Sequence, residues 1–536
     1  MSLEQTESQS NGSERALWWG MQLIFIIVGG FFFKVIYEVS IDFDADFYQR
    51  HILFINAVMR QKFLNCSLIM LLPFIVFFRR LSWQCSGEER ILRIFAFSSA
   101  LLIAWQLATL DYNYYYDTWH GWDRLLIIGA AIGVWFHPVC LPLLILQSYL
   151  YSRQLNYPLG GFDWTDKQIF LDLLIYAQLG LLLRIFVRVR AATILYMLVL
   201  IFNANYFFAG VQKLQLSPSG YEWVTENQVV NLVLASYHNG WLRSADGPVL
   251  SWLLDFAAAY PILLTLPTIL IEVGSALVFL NSRLFRTIML LHVLLHAVIM
   301  LSSGVFFWKW SILNIVLYLL VLPSRVGQLR EMFSRRAFYT SLPLFMLCPL
   351  LFAPVPLGWF DTTYVPIVRA YAVDDDGAEA ELEGFYFGPY NILFQQSRFY
   401  YLSHSNYIVG TYGGTDNYFL FKKLQEELSA AEVRSLQSRV GRPVYNQSSR
   451  EAFEGFIRRF VSNANRAAAG GKAPALPQIF SAPYHIYSFA VGKKYDGHGP
   501  VGSVRVRSLI FFRDQLLEDV PLIEVDIQKE NDGTGG

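Results

Sequence analysis

Asn203-Ala-Asn-Tyr-Phe-Phe-Ala-Gly-Val-Gln-Lys-Leu214 closes an apolar run that begins near Ala192. Such a run is long enough to cross a bilayer as a helix. Ala209 and Gly210 sit near its end, where small side chains let a second helix approach closely. Lys213 follows where the run stops. Two readings of it stand side by side. It is a snorkelling anchor, with its stem in lipid and its ammonium at the interface, or it is a partly desolvated amine able to act as a base.

Outward from this stretch, the chain is of one kind for two thirds of its length. It has 536 residues, 54% hydrophobic and only 16% charged, which reads as a polytopic membrane protein. Apolar runs fall near 18–37, 64–78, 92–110, 125–150, 168–187, 192–211, 249–281, 287–303, 306–322 and 337–355. Each reads as one helix except two. His137-Pro138 interrupts the fourth, and Pro261 and Pro267 the seventh. Arginine-rich loops (Arg79/Arg80, Arg184/Arg188/Arg190, Arg283/Arg286, Arg325/Arg330) mark the expected cytoplasmic side. On that scheme the N-terminal tail 1–17 is inside, a multi-pass region covers 18–358, and 359–536 lies outside the cytoplasm, with Lys213 at the outer face. The polar first residues carry no cleavable signal pattern, so the first run reads as an uncleaved anchor.

The 42 basic and 42 acidic side chains cancel, so no basic excess points to nucleic acid. Cys66, Cys85, Cys140 and Cys348 show no metal spacing. The absence of cysteine beyond 356 excludes a disulfide-stapled domain there.

The last third has Gly-rich turns and alternating aromatic runs. Gly384–Leu393, Asn406–Thr411, Tyr484–Val491 and Val504–Phe512 read as strands. Leu424–Val440 and Ser449–Asn465 read as helices, the second with Phe453, Phe456 and Phe460 on one face. The expected fold is a helical membrane bundle with a C-terminal α+β domain docked on its outer face.

Other residues could carry chemistry. Glu272 lies well inside an apolar run, where a carboxylate costs about 2.5–3.5 kcal/mol on insertion scales and so needs a partner. It is a structural hydrogen bond to another helix, or a proton acceptor and counter-charge for Lys213. His292 and His296 share a helix face, where they line a cavity near Lys213 or form half of a metal pair with no third ligand evident. Tyr112–Tyr116 with Trp119 and Trp122 read as an interfacial aromatic belt, or as a wall for a flat quinone ring.

Tyr206-Phe-Phe-Ala-Gly-Val-Gln-Lys-Leu214, followed by Trp223, resembles the vitamin K-dependent gamma-glutamyl carboxylase and the wider HTTM membrane family that contains it. The resemblance covers about Asp111 to Pro323 best and continues weakly into Phe453–Phe460. It implies that Lys213 is the catalytic base, with Gln212 standing where the family has a first Lys. It implies family counterparts for Glu272 and for one of His292 and His296. Gln147-Ser-Tyr-Leu-Tyr151 is similar to a family segment whose first residue is a functional His; Gln147 cannot titrate, and His120 and His137 lie near it in sequence.

The implied activity couples oxygenation of vitamin K hydroquinone, or a related menaquinol, to carboxylation. Lys213 deprotonates the hydroquinone, and O2 turns it into a strong base that takes a proton from the γ-carbon of a glutamate. The carbanion captures CO2 to leave gamma-carboxyglutamate and the quinone epoxide. Lys213, Glu272 and His296 are the expected catalytic groups, and Tyr206, Gln212, His292 and Gln147 the expected cofactor contacts. The partners would be a glutamate-containing protein or peptide and the lipid bilayer, either endoplasmic reticulum or bacterial inner membrane. The alternative is an HTTM-type membrane binding or assembly protein of the toxin-maturation or immunity kind, without carboxylase activity.

Overall fold

A helix that is apolar all round has no face to offer water and ends up buried. Ala191–Gln215 obeys this in the computed structural model: 89% of its most apolar 18-residue window is enclosed by protein. The structure describes residues 3–83, 86–160, 165–187, 189–242, 247–374, 377–470, 480–497 and 499–527. Around the central helix pack Gly87–Ala108, Thr165–Phe186, Pro261–Gly274, Arg335–Met346 and Cys348–Phe352. Among the described residues five helices are long and apolar enough to cross a membrane, or six if one bent pair counts as a single span.

Proline sets the breaks. Gly121–Phe136 and Cys140–Asn156 are separate helices that pack on each other, because His137 before Pro138 turns to extended backbone (φ −153°). Leu250–Ala259 and Pro261–Leu277 meet at 76°. The break lies at Pro261, while Pro267 sits inside a continuing helix. Three expected spans are shorter than the ~20 residues an apolar crossing needs. Runs 64–78 and 306–322 form helices Gln61–Val76 and Trp308–Leu320, and 337–355 divides into Arg335–Met346 and Cys348–Phe352.

The C-terminal region contains β1 (Phe360–Asp361), β2 (Tyr364–Val373), β3 (Glu379–Leu382), β4 (Gly414–Thr415), β5 (Ser503–Phe512) and β6 (Gln515–Asp526). β3-β2-β5-β6 form an antiparallel sheet in that order, and β1 pairs with β4. Tyr364 opposes Phe512 and Val373 opposes Ser503, with bulges on the β5–β6 side at Val506/Arg507 and Ile510/Phe511. The helix Gln447–Gly470 buries Phe453, Phe456 and Phe460 as its spacing predicts.

Of the four expected strands, only the last forms. Gly384–Leu393 becomes two helical pieces, since Gly388 takes φ +52° and Pro389 has no N–H for a ladder. Asn406–Thr411 makes one isolated bridge, from Tyr407 to Arg442. Tyr484–Val491 is extended but is strapped to the helical bundle instead of a sheet: Phe306 N donates to His485 O (2.7 Å) and Tyr487 N to Gly304 O (3.0 Å). Gly304 adopts φ +71°, and a Cβ there would stand 2.6 Å from Tyr487 O, so the strap needs glycine at that position. β2 escaped detection because it is buried on both faces and shows no two-residue alternation.

The tyrosine run 112–116 is corrected as well. Tyr115 stacks on Phe456 (5.4 Å) and Tyr114 meets Phe460 edge-on (5.5 Å), so these rings dock the helix Gln447–Gly470 onto the bundle. Trp122, 64% exposed, keeps the character of an interfacial ring.

Candidate functional site

The end of the central helix stands over a close helix crossing. Gly210 makes it possible: a Cβ there would come within 2.9 Å of Glu272 Cβ and 3.1 Å of Val273 N. One turn later Lys213 Nζ donates to both carboxylate oxygens of Glu272, at 2.8 Å each. Both residues are buried, and the Trp223 ring centroid lies 5.5 Å from the ammonium. Lys213 is therefore not a snorkelling anchor, since its charge is held inside by a carboxylate from the neighbouring helix.

The chain that leads into the strand-bearing region lies next to this pair. Leu357 N donates to Gln212 Oε1 (2.7 Å), and Trp223 Nε1 donates to Trp359 O (2.7 Å). Asp361 is buried beside them, accepting from Asn227 Nδ2 (2.9 Å) and Trp359 Nε1 (3.2 Å), while Asn231 Nδ2 donates to its carbonyl (3.0 Å). Burial pushes the Asp361 carboxyl up to about 6, against the hydrogen bonds from Asn227 and Trp359 and the positive charge of Lys213. Gln212 is thus engaged with the connection into the strand-bearing region.

Two turns before Lys213, a second polar group links four helical segments. Asn314 is oriented by its own helix: only an amide nitrogen can donate to Trp310 O, at 2.9 Å. The same Nδ2 donates to Tyr206 Oη (2.7 Å), so Tyr206 gives its single proton to His296 Nε2 (2.7 Å). On the other side His292 Nδ1 donates to Asn314 Oδ1 (3.3 Å), leaving Nε2 to accept from Ser275 Oγ (2.9 Å). With neutral rings the chain is polarised in one direction, and it ends on His296 Nδ1–H, a buried donor with no hydrogen-bond partner among the described residues. Aromatic rings wall this end. Tyr206 stacks on His292 at 3.6 Å and meets Trp310 edge-on at 5.3 Å, and Phe307 lies 4.9 Å from His296.

The structure thus brings Lys213, Glu272, Tyr206, His292 and His296 onto one helix interface. It does not bring Gln147 to them. Gln147 is buried on Cys140–Asn156, and its amide makes no hydrogen bond to any described residue. His137 stacks on Phe78 (3.7 Å), and His120 contacts Gln154 Nε2 (2.6 Å), so neither replaces it. Asn314, Ser275 and Asp361 were not singled out from sequence. The signal for Asn314 was a lone amide in an apolar run, while nothing local distinguished Asp361. No family model, curated protein or solved structure matches this chain.

Proposed function

We propose that this is a gamma-glutamyl carboxylase-like membrane enzyme. The reading rests on the resemblance around Lys213 and on one observation: a buried Lys213–Glu272 pair beside an aromatic-walled interface that ends in His296 Nδ1–H, which has no partner among the described residues. A hydroquinone bound here would be held by His296, whose Nδ1–H would donate to a phenolic oxygen, with the Phe307 and Trp310 rings beside it. Vitamin K hydroquinone, when bound, supplies the oxygen-activated strong base that the carboxylation of a peptide glutamate requires. Lys213 acts as proton acceptor once its own proton moves along the short hydrogen bond to Glu272. The enclosing rings and the Leu357–Asp361 segment keep water from a strongly basic centre.

A second reading is favoured by the same pair. Both Glu272 oxygens are engaged by one ammonium, a geometry that also serves as a purely structural clip in an HTTM-type binding or assembly protein. The two readings part at Lys213→Arg, which keeps the cation and the pair but supplies no neutral amine. Purified full-length protein is given vitamin K hydroquinone, O2, CO2 and a glutamate peptide, and quinone epoxide is measured. The wild type forms epoxide and Lys213→Arg, eluting as folded protein on size exclusion, does not. Wild-type epoxide yield from Lys213→Arg rejects the catalytic assignment.

A further inference from the structure

Residues 41–60 connect the helices Leu3–Ser40 and Gln61–Val76. Polar side chains from Gly121–Phe136 and Cys140–Asn156 fasten this connector. Asp123 accepts from Leu53 N (2.9 Å) and Phe54 N (3.0 Å), and Gln154 Nε2 donates to Tyr48 O (2.7 Å). His51 Nδ1 lies 3.2 Å from Thr118 Oγ1, which also accepts from His120 N (3.4 Å).

The His120 ring stands among these ties. It is buried, and its backbone adopts φ +49°, a left-handed conformation that is costly for a residue with a β-carbon. Its Nε2 lies 2.6 Å from Gln154 Nε2. Two nitrogens this close need one donor and one acceptor. Tyr48 O decides which is which. A carbonyl oxygen only accepts, so the Gln154 atom that faces both neighbours is the amide nitrogen, with two protons to give. His120 Nε2 is therefore unprotonated, and the ring proton sits on Nδ1, 3.7 Å from Asp123 Oδ2.

We propose that His120 is an acid-sensitive latch for the connector 41–60: the neutral ring holds it closed, and a proton on Nε2 releases it. The protonated ring sets one N–H against another. If the Gln154 amide swings away, Tyr48 O loses its donor. If the amide turns over, its Oε1 takes the His120 proton but meets Tyr48 O, acceptor against acceptor. Either way the bond to the connector breaks. The positive ring also draws on Asp123, the carboxylate that Leu53 N and Phe54 N share. The other charged or titratable groups around the ring are Arg124 on the same helix, His51 of the connector, Tyr116 of the preceding loop and Tyr151 of Cys140–Asn156. Burial holds the ring's proton affinity below that of a free histidine, against the pull of Asp123. The released ring thus binds a proton more readily than the latched one. The connector is closed at neutral pH and loosens as pH falls below the ordinary histidine range.

The test is hydrogen exchange of the full chain in phosphatidylcholine nanodiscs. Mass spectrometry reads peptides covering 47–58, with rates corrected for the intrinsic pH dependence of exchange. Protection of these amides in the wild type is expected to fall about tenfold between about pH 8 and about pH 5, while peptides of Ala191–Gln215 keep theirs. His120→Gln retains an acceptor at similar reach and takes no proton, so its protection is expected to be equal at both ends. Gln154→Leu lacks the latch and is expected to show low protection throughout. His51→Gln leaves the latch intact and is expected to keep the wild-type fall. A pH-independent wild type overturns the proposal, and so does a fall that persists in His120→Gln or is matched in Ala191–Gln215. Wild-type protection in Gln154→Leu overturns it as well. Loss of the fall in His51→Gln assigns the titration to the other histidine, and that variant decides the matter if His120→Gln does not fold. None of these readouts depends on whether the protein forms epoxide.

Discussion

Two helices of this chain each carry a lysine bound to a carboxylate, and they could hardly differ more in setting. Gly20–Ser40 and Ala191–Gln215 are both apolar enough to span a membrane. The first has only 28% of its most apolar window buried, against 89% for the second. Lys34 makes a single 3.3 Å contact to Asp172 from a side chain 25% exposed. Lys213, with its side chain 11% exposed, holds both oxygens of Glu272 at 2.8 Å. Apolarity of the helix is therefore no guide to what its lysine does. What differs is how completely protein encloses the ammonium when its partner is lost.

That contrast is broken or sharpened most directly through the acids. Glu272→Gln strands a buried ammonium and should cost about 3–5 kcal/mol, whereas Asp172→Asn frees a lysine that can turn outward and should cost about 1 kcal/mol. Thermal midpoints from fluorescence-detected size exclusion compare the two, and equal shifts would falsify the distinction.

A smaller effect lies in pH. The folded state holds the Asp361 proton more tightly than the unfolded chain, whose aspartates titrate near 3.8, because burial lifts this carboxyl to about 6. Stability should thus fall as pH rises between those values and level off above them, by up to about 3 kcal/mol. Asp361→Asn should abolish this decline. Lys213→Met should extend it to higher pH, since the lysine's charge opposes the lift, while Lys34→Met should leave it in place. Denaturation midpoints measured across that range decide the matter; a decline unchanged in Asp361→Asn would assign it to another group.

The least of the three concerns packing. Gly210→Ala forces the central helix away from Glu272 and Val273 and should cost about 1–2 kcal/mol. At Gly20, on the peripheral helix, nothing lies within 4 Å of the added methyl. Gly20→Ala should be neutral or stabilise by up to about 1 kcal/mol. Destabilisation of the same size at both positions would show that helix propensity, not the crossing, governs Gly210.

Sequence by itself determined those features that depend on neighbours along the chain. The all-round apolar helix ending at Lys213 follows from local composition, as do the break at His137-Pro138, the bend at Pro261 and the phenylalanine face of Gln447–Gly470. Proline geometry and side-chain periodicity act over a few residues and need no partner. The tertiary structure decided everything that depends on residues far apart. Lys213 and Glu272 are separated by 59 positions, and only the close crossing at Gly210 turns an apparent anchor into a buried pair. Tyr206 meets His296 and Asn314 across 90 and 108 positions. β2 leaves no alternation to read because both of its faces are covered, and Tyr484–Val491 has the alternation of a strand but finds its partner in Gly304 and Phe306. A buried polar group or an extended segment must satisfy its hydrogen bonds somewhere. The sequence states that demand, and only the packing of distant elements says which residue meets it.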